Sequence, residues 1–316
     1  MSWDEDLPAF LRMGDALNGT VKQALARNLT TLQAVQTAAA HTLLPRFRVG
    51  IYDARNSSVK NPWTAIPASV IQSDEHTELA KRAAAESMTL LRCDAGVLPV
   101  RHASAKGPRV IAVVGAAANS STLSIDRYNG HPDAAHTSAF LSGIAHAAEV
   151  AGGRFNDGEG GSAGPATDVV TCAADAATAA CAAHLKQQGA ELVILITTGH
   201  VEGEQHDRAD LGIQEHDLAL LQAVAAALPA APKILALVSG GAVSTEQADA
   251  LVNATIWAGK AGMQAGAGFA ALLFGELDFS GRVAATVYKR GWANASDMAD
   301  SAISGGSQPR GYRHVI

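Results

Sequence analysis

The sequence predicts an α/β protein: a doubly wound, mostly parallel sheet in a three-layer α/β/α sandwich, preceded by a helical segment and a linker. Three observations predict it. Short apolar runs at residues 110–114, 192–196, 234–238 and 254–257 suit strands buried on both faces. Ala-rich helical stretches at 138–151, 173–188, 215–228 and 264–274 alternate with them, as in a parallel sheet covered on both sides. Gly and polar turn residues flank each run.

In chain order, Leu11, Met13, Leu17, Val21, Leu25 and Leu29 recur near helical spacing, so residues 3–48 read as helices. A second helical run, 32–44, is expected to end at Pro45. Residues 52–67, with Asn-Ser-Ser, Asn-Pro and Ile-Pro, are a linker by composition. Ser73-Asp74-Glu75-His76 caps a helix through residue 88, with acids in its first turn. Residues 89–91 are a weaker strand candidate, and 152–167, rich in Gly and Asp, form a loop. There is no internal repeat.

The bulk properties exclude several classes. Of 316 residues, 48% are hydrophobic and 5% aromatic, which suits a globular core. The net charge of -6 has no basic block, which argues against nucleic acid and anionic membranes as partners. No apolar run reaches the roughly 20 residues of a bilayer span. The acidic start, Met1 to Phe10, does not read as a signal peptide. Cys93, Cys172 and Cys181 lack CxxC spacing. Cys172 and Cys181 can bridge only if the fold brings them together. Six of nine asparagines (Asn18, Asn28, Asn56, Asn119, Asn253 and Asn294) stand in N-x-S/T sequons. That density favours a secreted or extracellular parent over chance placement of Ser and Thr at turns.

Ligands of such sheets bind at the carboxyl ends of strands. The run 192–196 leads into Thr197-Thr198-Gly199-His200-Val201-Glu202-Gly203-Glu204-Gln205-His206-Asp207-Arg208. A carboxylate in a crevice there can have its pKa raised far enough for general-acid work. Two other readings stand beside this one: a solvated loop braced by Asp207 and Arg208, or a metal site of His200, Glu202, Glu204 and His206. No HExxH frame supports the metal site, and no metal or cofactor is expected. Gly115-Ala116-Ala117-Ala118-Asn119 sits where a phosphate loop would but lacks GxGxxG. Ser239-Gly240-Gly241 reads as a turn, and Trp257 as core.

Several separated stretches together resemble glycoside hydrolase family 3, in its β-xylosidase-like branch. The stretch from Leu79 to Arg92, LAKRAAAESMTLLR, with Leu98-Pro99, resembles the family's A-x-x-A-A-x-E-S-I-V-L-L-K-N … L-L-P. Tyr128-Asn129-Gly130-His131-Pro132 is similar to N-Y-Y-G-x-P, and Glu202-Gly203-Glu204-Gln205-His206-Asp207-Arg208 to E-x-E-x-x-D-R. Trp257-Ala258-Gly259 with Gly262, Gly266 and Leu273-Phe274-Gly275 resembles W-A-G-Y-P-G-Q-x-G-G … L-F-G. Ser280-Gly281-Arg282 with Thr286, the closing Pro309 to Arg313, and Arg46-Phe47-Arg48-Val49-Gly50 resemble P-S-G-R-L-P-V-T, P-G-R-T-Y-R and R-F-R-L-G. The ordered set covers residues 12–313. Departures are Lys260-Ala261 for Tyr-Pro, Ala265 for Gly, Ala284 for Pro, Cys93 for Asn, and Arg127 and Asn129 in the tyrosine loop.

The resemblance implies a retaining glycosidase with two carboxylates about 5–5.5 Å apart. It makes Glu202 the acid/base, with Glu204 the second candidate. Asp207 and Arg208 brace the loop, and Tyr128 lies near the sugar. It also implies a nucleophilic Asp on a preceding (β/α)8 barrel, which needs ~250 residues. Residues 1–50 would be the helical remnant of that barrel, 51–72 a linker and 73–316 the sandwich domain. The expected function is the acid/base half of a site acting on β-linked xylo- or gluco-oligosaccharides, in the manner of xylan degradation. The chain alone is expected to be inactive and to need a barrel in cis or in trans. The alternative is a non-catalytic sugar- or protein-binding module.

Overall fold

The computed structural model describes residues 21–52, 62–101, 107–126, 128–151, 167–172, 177–200, 208 and 210–292. The chain divides into two units, residues 1–73 and 74–316. In the first, residues 21–26 are helical and the chain turns at Asn28, whose φ is 55°. Helix α1, Leu32–Arg48, starts on Thr31, whose hydroxyl oxygen accepts the Ala34 N–H at 3.1 Å. The expected stop at Pro45 is passed by one turn. Proline removes a single intrahelical bond near a helix end, and Val49 N–H still closes on Pro45 O at 3.0 Å. No residue of α1 is buried. Two 3₁₀ turns, Pro62–Ala65 and Ala68–Val70, follow.

The second unit carries the sheet. Helix α2, Asp74–Ser87, leads into β1, Thr89–Cys93. Then come β2, Val110–Val114; α3, Phe140–Ala151; β3, Asp168–Val170; α4, Thr178–Gln187; and β4, Leu192–Thr197. Helix α5, Glu215–Ala227; β5, Lys233–Leu237; β6, Ala254–Trp257; and α6, Ala265–Leu273, complete it. The strand order is β1-β6-β5-β4-β2-β3. All neighbours are parallel except β1, which runs antiparallel to β6 with a register shift between Leu90 and Arg92.

Strand periodicity sorts the core into two layers. Leu192, Ile194 and Ile196 of β4 point into one cluster with α2, α3 and α6. Val193 and Leu195 point into the other with α4 and α5. Successive side chains of a strand face opposite ways, so an unbroken apolar run feeds both layers at once. The helix after β2 therefore covers one face and the helix after β4 the other. The crevice between the carboxyl ends of β2 and β4 is a topological switch point.

Two close approaches make this geometry specific. Gly115, at φ +106°, tucks the loop after β2 onto β4, where a Cβ would lie 2.3 Å from Ile196 O. Gly266 lets α6 meet the start of α3, where a Cβ would lie 1.9 Å from Ala139 O. At the far end of the sheet, Lys233 is buried and donates to Leu228 O at 2.8 Å and Ala231 O at 2.6 Å. Burial pulls its pKa down. The two carbonyls give the ammonium partners in place of water, a structural arrangement remote from the switch point.

Candidate functional site

A cleft of about 420 Å³ opens at the carboxyl ends of the strands. Thr122, Leu123 and Asp126 come from the segment after β2; Thr198, Gly199 and His200 follow β4; Val238 and Ser239 follow β5; Lys260 follows β6. The volume lies in the range of small-ligand sites. One wall is tied across by Lys260 Nζ and Asp126 Oδ2 at 2.8 Å and by Gly262 N–H to Ser124 O at 2.9 Å. Asp126 has φ 67° and ψ -177°, a strained backbone region that residues other than glycine rarely enter.

The segment after β4 leaves the sheet through a fixed neck. Gly199 bridges Ile213, and Gln214 Nε2 donates to Thr198 Oγ1 at 2.7 Å and Gly199 O at 3.3 Å. His200 Nε2 lies 3.9 Å from Asp210 Oδ1. Asp210 also accepts the Gly212 N–H at 2.7 Å and the Arg290 Nε–H at 2.6 Å. Burial pushes the Asp210 carboxyl up, but the Gly212 amide, the Arg290 guanidinium and His200 outweigh it and hold the group below its usual range. Arg208 Nη1 donates to Ala242 O at 2.7 Å, so Arg208 is fastened to the turn after β5.

Under the neck lies Asp217, 0% exposed, in the first turn of α5. The Thr197 hydroxyl donates to its Oδ2 and the Ala116 N–H to its Oδ1 at 3.4 Å. Burial pushes the carboxyl up, opposed by those two bonds and by His216. The residue joins β4, the loop after β2 and α5 at the switch point. Sequence reasoning missed it, because an acid in a first turn reads as dipole complementation. The usable signal was its place one helical turn before Leu220 and Leu221, on the buried face of α5.

Of the sequence-derived site residues, Arg208 stands beside the neck, and Tyr128 lies on the segment after Asp126, 62% exposed. Glu202, Glu204, Asp207 and His206 lie outside the described residues. Among the described residues, no group of three or more His, Cys, Asp or Glu side chains is placed to hold a metal. The loop from Gly115 to Asn119 turns its amides inward. Ala116 N–H goes to Asp217, Ala117 N–H to Ile196 O at 3.2 Å and Ala118 N–H to Gly115 O at 3.1 Å. Those donors are engaged within the fold and do not face a phosphate. Trp257 is packed against the second core cluster and donates to Ser239 Oγ at 3.2 Å. Cys172 and Cys181 form a disulfide, with Cα atoms 5.6 Å apart.

These features define a flavodoxin-ordered α/β sandwich domain with a cleft at the carboxyl ends of its strands. Residues 88–312 match the model of the glycosyl hydrolase family 3 C-terminal domain, and the chain belongs to that family. It is 29% identical over 294 residues to β-D-xylosidase 1 of Arabidopsis thaliana, covering 92% of this chain and 35% of that one. It is 28% identical over 301 residues to a β-xylosidase/α-L-arabinofuranosidase of Medicago sativa, covering 93% of this chain and 35% of the relative. Among solved structures, an exo-β-xylosidase of the family in complex with a xylobiose aziridine probe aligns with TM-score 0.70 at 19% identity, covering 90% of this chain and 34% of that one. A β-D-glucoside glucohydrolase from Trichoderma reesei aligns with TM-score 0.65 at 22% identity, covering 91% and 39%. The chain thus spans about a third of the length of the relatives it matches.

Proposed function

We propose that this chain supplies the general acid/base for retaining hydrolysis of β-linked xylosides or glucosides, with Glu202 as the proton donor. One observation carries the reading. The cleft wall formed by Thr198, Gly199 and His200 continues in sequence, through a neck fixed by Gln214 and Ile213, into the segment that holds Glu202. Glu204, Asp207 and Arg208 support that segment, and Tyr128 borders the sugar. The relatives named β-xylosidase support the substrate class. The nucleophile belongs to a (β/α)8 barrel joined in cis or in trans, with residues 1–50 as its trailing helices, 51–72 as linker and 73–316 as the sandwich domain. A covalent glycosyl intermediate needs that carboxylate, and acid catalysis alone supplies about 10²–10⁴-fold. The chain alone therefore has little or no turnover.

The test is hydrolysis of aryl β-xyloside and aryl β-glucoside. The chain alone is expected to be silent. Added to, or fused behind, a family barrel that lacks its own sandwich domain, it is expected to give turnover that Glu202→Gln abolishes. Robust turnover by the chain alone, lost in Glu202→Gln, overturns the missing-nucleophile argument. Turnover of the reconstituted pair that survives Glu202→Gln removes Glu202 from its role. The sequons and the disulfide support a secreted parent; Asn18, Asn28, Asn56 and Asn294 all free of glycan in the native protein would count against it.

A second reading is a non-catalytic sugar-binding module. It is favoured by Lys260, which stands where the resemblance expects Tyr-Pro and pairs with Asp126 across the cleft rim. Calorimetry with xylobiose separates the two: module behaviour requires heat of binding that Glu202→Gln leaves unchanged.

A further inference from the structure

The segment after β2 has two sides. Thr122, Leu123 and Asp126 line the cleft, while Gly115, Ala116, Asn119 and Ser120 line a separate cavity of about 490 Å³ over the carboxyl ends of β2 and β3. We propose that this cavity is a second binding pocket, and that it takes a small uncharged ligand bearing several hydroxyls, of the size of a monosaccharide. The proposal does not rest on the role of Glu202.

The chemistry of the wall sets the ligand class. Val114, Leu141 and Leu220 provide an apolar floor, with the Cys172–Cys181 disulfide beside them. Asn119, Ser120, Thr171 and His216 provide hydrogen-bonding groups at the rim. No Lys, Arg, Asp or Glu side chain lies among the described lining residues, so a charged ligand meets no fixed countercharge. A phosphate is disfavoured further, because Ala116, Ala117 and Ala118 have already committed their amides. An apolar floor with a few convergent polar groups is the usual make-up of a small-molecule site, and a pyranose offers an apolar face and a hydroxyl edge to match. The disulfide ties the chain just after β3 to α4, which holds that wall in place before any ligand arrives. Pre-organisation of this kind lowers the entropic cost of binding.

The experiment is an NMR titration of the full chain with D-xylose, D-glucose and glycerol, with inorganic phosphate as the charged probe. Saturable shifts are expected at His216, Thr171 and Cys172 with at least one neutral probe and not with phosphate. A double variant, Asn119→Ala with His216→Ala, is expected to weaken that binding about tenfold or more through loss of two hydrogen bonds. Both side chains are exposed, so the variant should fold, and an unchanged amide spectrum elsewhere verifies this. Shifts at His200 and Lys260 should be the same in the variant, because they report the cleft. Three results overturn the proposal: no shift in the cavity set with any neutral probe, binding equal in the double variant, or phosphate shifting the cavity set in preference to the sugars. None of these bears on Glu202, whose failure would instead be read in the reconstituted glycosidase assay.

Discussion

Asp217 offers a direct test of how the switch point is held. Its carboxyl is fully buried and accepts from the Thr197 hydroxyl and the Ala116 amide. Thr197 Oγ1 also lies 3.2 Å from Thr198 O as a donor. In Asp217→Asn the amide oxygen can keep the Ala116 bond. The new Nδ2–H donates to Thr197 Oγ1, whose hydroxyl turns to Thr198 O. Every polar atom keeps a partner and the buried charge disappears. Asp217→Ala instead leaves the Thr197 hydroxyl and the Ala116 amide without the carboxylate.

The sign of the pH effect follows from the raised pKa. A carboxyl whose folded pKa exceeds its unfolded value, about 3.9, contributes stability below the unfolded pKa. That contribution is lost as pH rises through the folded pKa. Wild type should therefore lose stability relative to Asp217→Asn as pH rises through the folded pKa. At pH 8 the Asn variant is expected to equal or exceed wild type by about 1 kcal/mol, while the Ala variant loses about 1–3 kcal/mol at an unsatisfied buried site. Urea unfolding at a series of pH values from 4 to 8 measures both. If Asp217→Asn is the less stable protein at pH 8 and shows the same pH slope as wild type, the carboxylate is a net stabiliser and the reasoning is wrong.

Two further perturbations follow from packing. Gly266→Ala places a methyl 1.9 Å from Ala139 O and forces α3 and α6 apart; the expected loss is about 1–3 kcal/mol or more, read by thermal or urea unfolding, and a neutral variant would show that the crossing is not tight. Replacing Cys172 and Cys181 together by Ser opens a loop of nine-residue separation, with an expected cost of about 2.5 kcal/mol, also read by urea; a cost near zero would mean that α4 and β3 stay docked without the bond.

Much of the sheet was legible because its strands obey a simple rule. Residues 192–196 are apolar without interruption, and the structure uses both of their faces. Helices at 215–228 and 264–274 fall within a residue or so of the observed α5 and α6. The three-residue β3 was not legible: Asp168–Val170 is too short to show a period. The direction of β1 was equally hidden, since pairing sense is decided by the partner strand and not by residues 89–93. Among site features, the strand-end rule pointed to the residues after β4, of which Thr198, Gly199 and His200 line the cleft, while the fixed neck depends on Gln214, Asp210 and Arg290, which are 80 residues apart at the extreme. Asp126 with Lys260, and Cys172 with Cys181, required the fold to bring them together. Cysteine spacing alone left that bond open.

Strand β1 also bears on self-association. Without it, β6 would be the outermost strand, with the backbone groups of Ala254–Trp257 unpaired along an apolar segment. Such an edge is a template for strand addition between molecules. β1 covers it and presents an outer rim interrupted by the register shift between Leu90 and Arg92, and the charge of Arg92 discourages further pairing. A chain trimmed to begin after residue 93 would thus lose the guard along with the strand, and its sheet would carry an adhesive margin in place of a closed one.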